Sequence, residues 1–73
     1  MKKFSNVASK VNAIVNVFRE DETLRGTEIS RRLKSRGYKV NDANIRMFIY
    51  HRMIYKHLRK EAVNGINHYS LIH

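Results

Sequence analysis

Residues 42–52, read as DANIRMFIYHR, hold the side chains best suited to reading nucleic acid. Ile45, Phe48 and Ile49 recur at helical spacing and predict the apolar face of a short helix. The other side chains lie on or beside the opposite face: Ala43, Asn44, Arg46, Met47, Tyr50 and His51. Asparagine can pair with adenine and arginine with guanine, and apolar groups can contact the thymine methyl. We therefore expect one face of this helix to pack on a core and the other to be open to base edges.

Positive charge is concentrated around this helix. The chain has 15 lysines and arginines against 6 acids, a formal net charge of +9. Residues 25–60 hold eleven of these cations and only two acids, Glu28 and Asp42, so this stretch alone carries +9. Such a concentration attracts a polyanion and speeds its encounter with the protein. A solvated basic surface that only aids solubility is the alternative, and the charges around a candidate reading helix favour nucleic acid over it.

Length and composition exclude several classes of protein. The 73 residues suffice for one small domain, 1–73, that buries about 60% of its unfolded surface. There is no cysteine, so no disulfide or thiolate metal site can form. No run approaches the ~20 apolar residues of a membrane span, and polar residues interrupt the stretch after MKKF. We expect an intracellular protein with no membrane partner.

An enzyme is the first competing class. The four histidines, at positions 51, 57, 68 and 73, include no pair at metal-site spacing with an acid on the same face. No serine stands in a nucleophile elbow, and there is no glycine-rich phosphate loop. We therefore expect no catalytic residue, no metal, no cofactor and no small-molecule substrate.

Two helices and a short strand are predicted before the reading helix. Val7, Val11, Ile14, Val15 and Phe18 mark one face of a first helix that begins after Ser5. Residues 23–25 form a brief strand, Gly26 frees the backbone, and Thr27 is the N-cap of a second helix over 28–36. Gly37 is the natural C-terminal stop of that helix.

The reading helix begins at a predicted N-cap, Asn41, with Val40 and Ile45 in the positions of a hydrophobic staple. Arg52 would fall on the apolar face of a longer helix. Either its stem reaches outward or the helix ends near residue 52, and we favour the second.

The last third of the chain alternates with period two around Asn64-Gly65, the strongest short-range signal for a β-hairpin. A two-residue turn pairs Val63 with Ile66, Lys60 with Tyr69, and Leu58 with Leu71. In this register Leu58, Tyr69 and Leu71 share a face that can pack on the helices. The outer face then carries Arg59, Glu61, His68 and Ser70.

The chain resembles the winged-helix family of DNA-binding domains over roughly residues 5–72. The resemblance is carried by the segment 26–33, GTEISRRL, by the third helix, and by a hairpin that ends in HYSL. It implies an α+β fold, a winged helix-turn-helix of three helices followed by a two-stranded antiparallel hairpin. Small basic chains of this type are common as regulators in viruses and plasmids.

The resemblance also implies roles for several candidate residues. The third helix would read the major groove, with Asn44, Arg46, Met47, Tyr50 and His51 toward DNA. Thr27 and nearby backbone amides, at the start of the second helix, would hold a phosphate. Apart from the resemblance, Arg31 and Arg32 are candidate phosphate contacts from their charge, and basic residues near the end of this helix have the alternative role of complementing its dipole. The hairpin would act as a wing through Arg59, Lys60 and Asn64. The wing tip, 62–66, is not basic, which departs from deep insertion into the minor groove.

These observations predict a sequence-specific protein for double-stranded DNA, most simply a transcriptional regulator. The alternatives are a module for RNA or protein interaction, and an architectural or recombination accessory protein. Met47 and Tyr50 could instead pack against a second copy of the chain or against a curled wing, so a homodimer is left open.

Overall fold

A computed structural model describes residues 3–72 of the chain. This range contains three α-helices and a three-stranded antiparallel sheet, whose first strand lies between the first two helices. A π-helical turn, Ile49–Met53, extends the third helix. The elements are α1 (Val7–Asn16), β1 (Thr23–Arg25), α2 (Gly26–Ser35), α3 (Asp42–Phe48), β2 (Leu58–Val63) and β3 (Ile66–Leu71). The predicted α+β class is thus confirmed.

The sheet corrects the prediction of a two-stranded hairpin. Its strand order is β1-β3-β2, because β1 adds to the free edge of β3. Leu24 of β1 lies opposite Tyr69, and both are buried, at 1% and 4% exposure. The outer edge of β3 has backbone groups that need partners, and β1 supplies them while burying its one apolar side chain. The pairing places the first residue of α2 beside β3.

The predicted hairpin register is confirmed at each of the three pairs. Val63 lies opposite Ile66, Lys60 opposite Tyr69, and Leu58 opposite Leu71. Asn64 and Gly65 have φ angles of 52° and 79°, the positive values that a type I′ turn requires. Leu58 is fully buried, so the inner face of the hairpin contributes directly to the core.

The core collects the apolar faces of all the elements. Its buried side chains are Ile14, Val17, Phe18, Leu24, Ile29, Leu33, Ile45, Ile49, Met53, Leu58 and Tyr69. Two predictions for α1 were wrong. Its N-cap is Asn6, whose side chain accepts from the backbone N–H of Ser9 at 2.7 Å, and Val7 is 49% exposed because the first turn lies beyond the core.

The end of α2 was predicted correctly, and its start was not. Gly37 has a φ of 91°, and the N–H of Tyr38 donates to the carbonyl of Leu33 at 3.1 Å, as in a Schellman motif. The helix begins at Gly26 with Arg25 as N-cap, so Thr27 lies inside it. The carboxylate of Glu28 accepts from the backbone N–H of Arg25 at 3.1 Å. This capping box starts the helix two residues earlier than a Thr27 N-cap would.

The third helix changes its winding before Arg52. Asn41 caps its start as predicted, by accepting from the N–H groups of residues 43 and 44. The α-helix ends at Phe48, and the N–H of Ile54 then donates to the carbonyl of Ile49 at 2.9 Å, an i→i−5 bond. The extra residue in this π-helical turn rotates Met53 into the core and leaves Arg52 exposed. The charged side chain thereby avoids the apolar face.

Substitution of Ser30, in α2, with alanine is expected to stabilise the folded protein. Its hydroxyl is fully buried and has no hydrogen-bond partner within residues 3–72. Burying an unpartnered polar group costs about 1–3 kcal/mol, and alanine is the better helix former. We expect Ser30→Ala to raise the free energy of unfolding by ~1 kcal/mol, or the melting temperature by about 4–8 °C. Ser35→Ala is the comparison, because it removes an exposed hydroxyl of the same helix that does have a partner, the Arg32 carbonyl at 2.8 Å. A lower melting temperature for Ser30→Ala would contradict the expectation.

Candidate nucleic-acid interface

The outward face of α3 and the π-helical turn is a ridge of exposed side chains. Met47 and Tyr50 are 58% and 65% exposed, although both are large and apolar. Ala43 and His51 are exposed beside them. On the inner side Ile45 and Ile49 are buried and fix the ridge to the core. The predicted two-faced character of this segment is therefore present in the structure.

Arg46 is positioned by close contact with the start of α2. A Cβ atom added to Gly26 would lie 2.8 Å from the Arg46 Cγ and 3.2 Å from its Cδ. Such distances are shorter than carbon–carbon contact allows, so the arginine stem crosses where Gly26 has no side chain. Gly26 was predicted to free the backbone, and the structure shows instead that it makes room. The guanidinium beyond the stem remains exposed.

Tyr69 of β3 is buried beside the contact between Gly26 and Arg46. Burial raises the pKa of its hydroxyl, while the nearby charge of Arg46 and a hydrogen bond with the Asn67 side chain act in the opposite direction. The charge of Arg46 thus lies near the phenol of β3. Arg46 therefore borders both α2, through its stem, and β3 before any partner binds.

A shallow groove separates the ridge from the inner face of the hairpin, and we call it the hairpin groove. Its volume is about 320 Å³, and it is lined by Ala43, Arg46, Met47, Tyr50, His51, Ile54, Lys60, Asn67 and Tyr69. The Lys60 Nζ lies 5.9 Å from the centre of the Tyr50 ring. Tyr50 and His51 pack edge to face, with ring centres 5.1 Å apart. The groove therefore combines cations, aromatic rings and a side-chain amide without any acid.

Two predicted hairpin cations lie on opposite faces of the sheet. Lys60 faces the hairpin groove, whereas Arg59 lies across the sheet near Asp21 and Glu22. Strand alternation requires this separation, because neighbouring side chains point to opposite faces. Asn64 is exposed at the hairpin tip. Only Lys60 of the three is brought together with Arg46.

The start of α2 presents a second set of predicted residues. Thr27 and Arg31 are exposed and lie four residues apart, so they share a stripe of the helix with Lys34. The Lys34 Nζ lies 3.9 Å from Asp42 Oδ1 at the start of α3. This stripe therefore meets the start of α3 at its Lys34 end, and Thr27 and Arg31 continue it as exposed side chains along α2.

Arg32 has a structural role that the sequence did not reveal. Its Nη2 donates to Glu22 Oε2 at 2.7 Å, its Nη1 donates to Glu22 Oε1, and Nη1 also donates to the carbonyl of Val17 at 2.8 Å. These bonds attach the α1–β1 connection to α2. The hydrogen bond from Arg32 is the main cause that lowers the pKa of Glu22 from 4.5 to about 2. We therefore do not retain Arg32 as a phosphate contact.

Asn44 lies on the other flank of the ridge, away from Arg46. It lines a second groove, next to Phe48 and Arg52. The structure thus divides the predicted base-reading set between two flanks. Asn67, which we did not predict, belongs to the hairpin groove and pairs with Ala62 in the sheet. The same register that identified Leu58 and Tyr69 also places Asn67 on the inner face.

No group of three or more histidines, aspartates or glutamates in residues 3–72 could hold a metal ion. No described helix is long and apolar enough to cross a membrane. Comparisons with models of protein families, with curated proteins and with solved structures found no match to this chain.

The contact between Gly26 and Arg46 can be tested by a double-mutant cycle. Gly26→Ala should lower the free energy of unfolding by about 1–3 kcal/mol, because the added methyl displaces the arginine stem. In an Arg46→Ala background the same change should cost less, with a coupling energy of roughly 0.5–3 kcal/mol. Chemical denaturation of the four proteins measures each value. Equal costs of Gly26→Ala in both backgrounds would show that the two residues do not meet.

The Glu22–Arg32 pair predicts a specific acid response. Because the pKa of Glu22 is lowered on folding to about 2, its contribution to stability is complete above pH 4.5 and is lost as the pH falls from there toward 2. Glu22→Gln should lower the melting temperature at pH 7, and its difference from the unaltered protein should shrink toward pH 2. Glu20→Gln, in the same acidic cluster, is the matched control. A difference that stays constant from pH 7 to pH 2 would argue against the pair.

Proposed function

We propose that this chain binds double-stranded DNA in a sequence-specific manner and regulates transcription. The observation that carries the proposal is the ridge of α3, which is anchored by buried Ile45 and Ile49 and flanked by Arg46 and Lys60. The major groove is wide enough to admit a helix and presents a distinct pattern for each base pair. A role in transcription places the protein inside the cell.

Arg46 is the proposed reader of guanine, because its stem is fixed while its planar head is free to form two hydrogen bonds. Ala43 and Met47 offer apolar contacts to thymine methyl groups. Asn44 lies on the other flank, where its amide could pair with an adenine further along the site. Tyr50 and His51 continue the ridge toward the hairpin groove.

The remaining cations are proposed to hold the backbone of the duplex. Lys60 lies across the hairpin groove from Arg46, and Thr27 and Arg31 are exposed on the stripe of α2 whose Lys34 lies beside Asp42. Asn64, at the hairpin tip, is positioned to contact a neighbouring phosphate. Such contacts fix the register of the protein on DNA and carry no sequence information.

The order of elements supports a winged-helix arrangement. A helix, a strand, two helices and two strands follow one another, and the first strand joins the hairpin. In this proposal α3 is the recognition helix and the β2–β3 hairpin is the wing. The inner face of the wing, not the face that carries Arg59, adjoins the reading helix.

Selection of bound duplexes from a random pool, followed by salt titration, tests the proposal. We expect a consensus sequence, and a palindromic consensus would indicate that two copies bind together. If about 4–6 phosphates are contacted, log affinity should fall against log salt with a slope of ~−0.9 per phosphate. No consensus, or a single-stranded RNA that competes as well as the selected duplex, would contradict the proposal.

Matched arginine and lysine variants separate base reading from general attraction. Arg46→Ala should cost about 1–3 kcal/mol on the consensus and relax preference at one position. Lys60→Ala should weaken all sequences alike. Arg59→Ala, which removes the same charge as Arg46→Ala from the opposite face of the sheet, should change affinity least. Affinities on the consensus and its single-base variants give the result, and full discrimination by Arg46→Ala would remove α3 as the reader.

A further inference from the structure

A second, larger groove lies on the flank of α3 that faces away from the hairpin. It runs between the start of α1 and the helix formed by α3 and the π-helical turn, which we call the α3 segment. The groove has a volume of about 840 Å³, and we call it the α1 groove. The proposed DNA interface uses only Asn44 of the residues around it. The rest of the groove lies outside that interface.

Apolar side chains form the floor of the α1 groove. Phe4, Val40 and Phe48 are partly buried there, and Val7 is 49% exposed. The Phe4 ring already stacks on Tyr38, with ring centres 4.7 Å apart. Apolar surface in a concave position is unfavourable in water and becomes favourable when a partner covers it.

Four cations form the rim of the α1 groove: Lys3, Lys10, Lys39 and Arg52. No acid lines the groove, and within residues 3–72 none of the four takes part in a salt bridge. The Lys10 Nζ lies 4.5 Å from the centre of the Phe48 ring and 5.5 Å from that of Phe4. Positive charge therefore lies directly against the apolar floor.

Two occupants fit this combination poorly. A second copy bound about a two-fold axis through the groove would bring the same cations against one another. A nucleic acid could neutralise the rim, but its phosphates would not cover the floor. A base stacks only on an open ring face, and one face of Phe4 is held by Tyr38 while the Phe48 ring is covered by the Lys10 ammonium. An aliphatic side chain needs no open ring face and can pack on Val7, Val40 and the ring edges.

We propose that the α1 groove binds an acidic segment of a partner protein, with carboxylates on the rim and apolar side chains on the floor. Charge complementarity provides the attraction and the register, and the apolar anchors provide contact area, as when a peptide helix lies in a hydrophobic groove. Asn44 and Arg52 extend from the α3 segment into the same groove. Occupation of the groove therefore places the partner beside the proposed reading helix, although the proposal does not depend on DNA binding.

The test is selection against the intact chain of a displayed library of random peptides of about twelve residues, the length of three helical turns. We expect a consensus that combines aspartate or glutamate with leucine or phenylalanine. The consensus peptide, labelled and titrated by fluorescence anisotropy, should bind the protein. A version with serine in place of its apolar residues should lose that binding. Absence of enrichment, or a consensus without acids, would overturn the proposal.

Charge-matched variants decide whether the groove itself is used. The double variant Lys10→Gln, Lys39→Gln should bind the peptide at least about tenfold more weakly, because two charge-assisted contacts are lost. Lys56→Gln combined with Arg59→Gln removes the same charge outside the groove and should leave the affinity nearly unchanged. Equal effects of the two pairs would indicate general attraction and overturn the proposal.

Amide chemical shifts of the unaltered protein provide a readout that does not depend on variant folding. Addition of the consensus peptide should change the amide chemical shifts of residues around Phe4, Lys10 and Phe48. Shifts confined to the hairpin groove would overturn the proposal. A single-stranded oligonucleotide that displaces the peptide and shifts the same residues would identify the groove as a nucleic-acid site instead.

Discussion

The pairing of β1 with β3 is the constraint on which the rest of the structure depends. Three residues of β1 join the edge of the hairpin and bury Leu24 against Tyr69. Since α2 begins directly after β1, this pairing brings Gly26 to the sheet. The missing side chain of Gly26 then admits the stem of Arg46. A short strand thereby determines where the principal proposed base reader lies.

The change from α-helix to π-helix after Phe48 gives the reading segment its shape. The change in winding lets Ile49 and Met53 pack in the core while Arg52 remains exposed to solvent. A continued α-helix would bury the charge of Arg52 or expose Met53, and either would cost stability. The result is a ridge with a groove on each side. One groove contains Lys60 and aromatic side chains, and the other has an apolar floor with a cationic rim.

The strong positive charge of the chain is divided between structure and surface. Arg32 attaches the α1–β1 connection to α2. Arg25, the N-cap of α2, donates to the Glu28 carboxylate from both its side chain and its backbone N–H. Lys34 lies near Asp42 at the junction of α2 and α3. By contrast Arg46, Lys60 and the cations around the α1 groove border open grooves with no lining acid. The two proposed partners share negative charge, and they differ in whether base edges or apolar side chains accompany it.

Local pattern determined much of this protein in advance. Periodicity identified the inward faces of α3 and the hairpin, Asn64-Gly65 determined the register, and Gly37 and Asn41 marked the ends of helices, because each depends on neighbouring residues alone. Only the tertiary structure decided the third strand, the close approach of Arg46 to Gly26, and the burial of Met53. It also assigned Arg32 to Glu22, ten positions away, and separated Arg59 from the ridge. These outcomes depend on which surfaces meet when distant elements pack, and spacing along the chain does not contain that information.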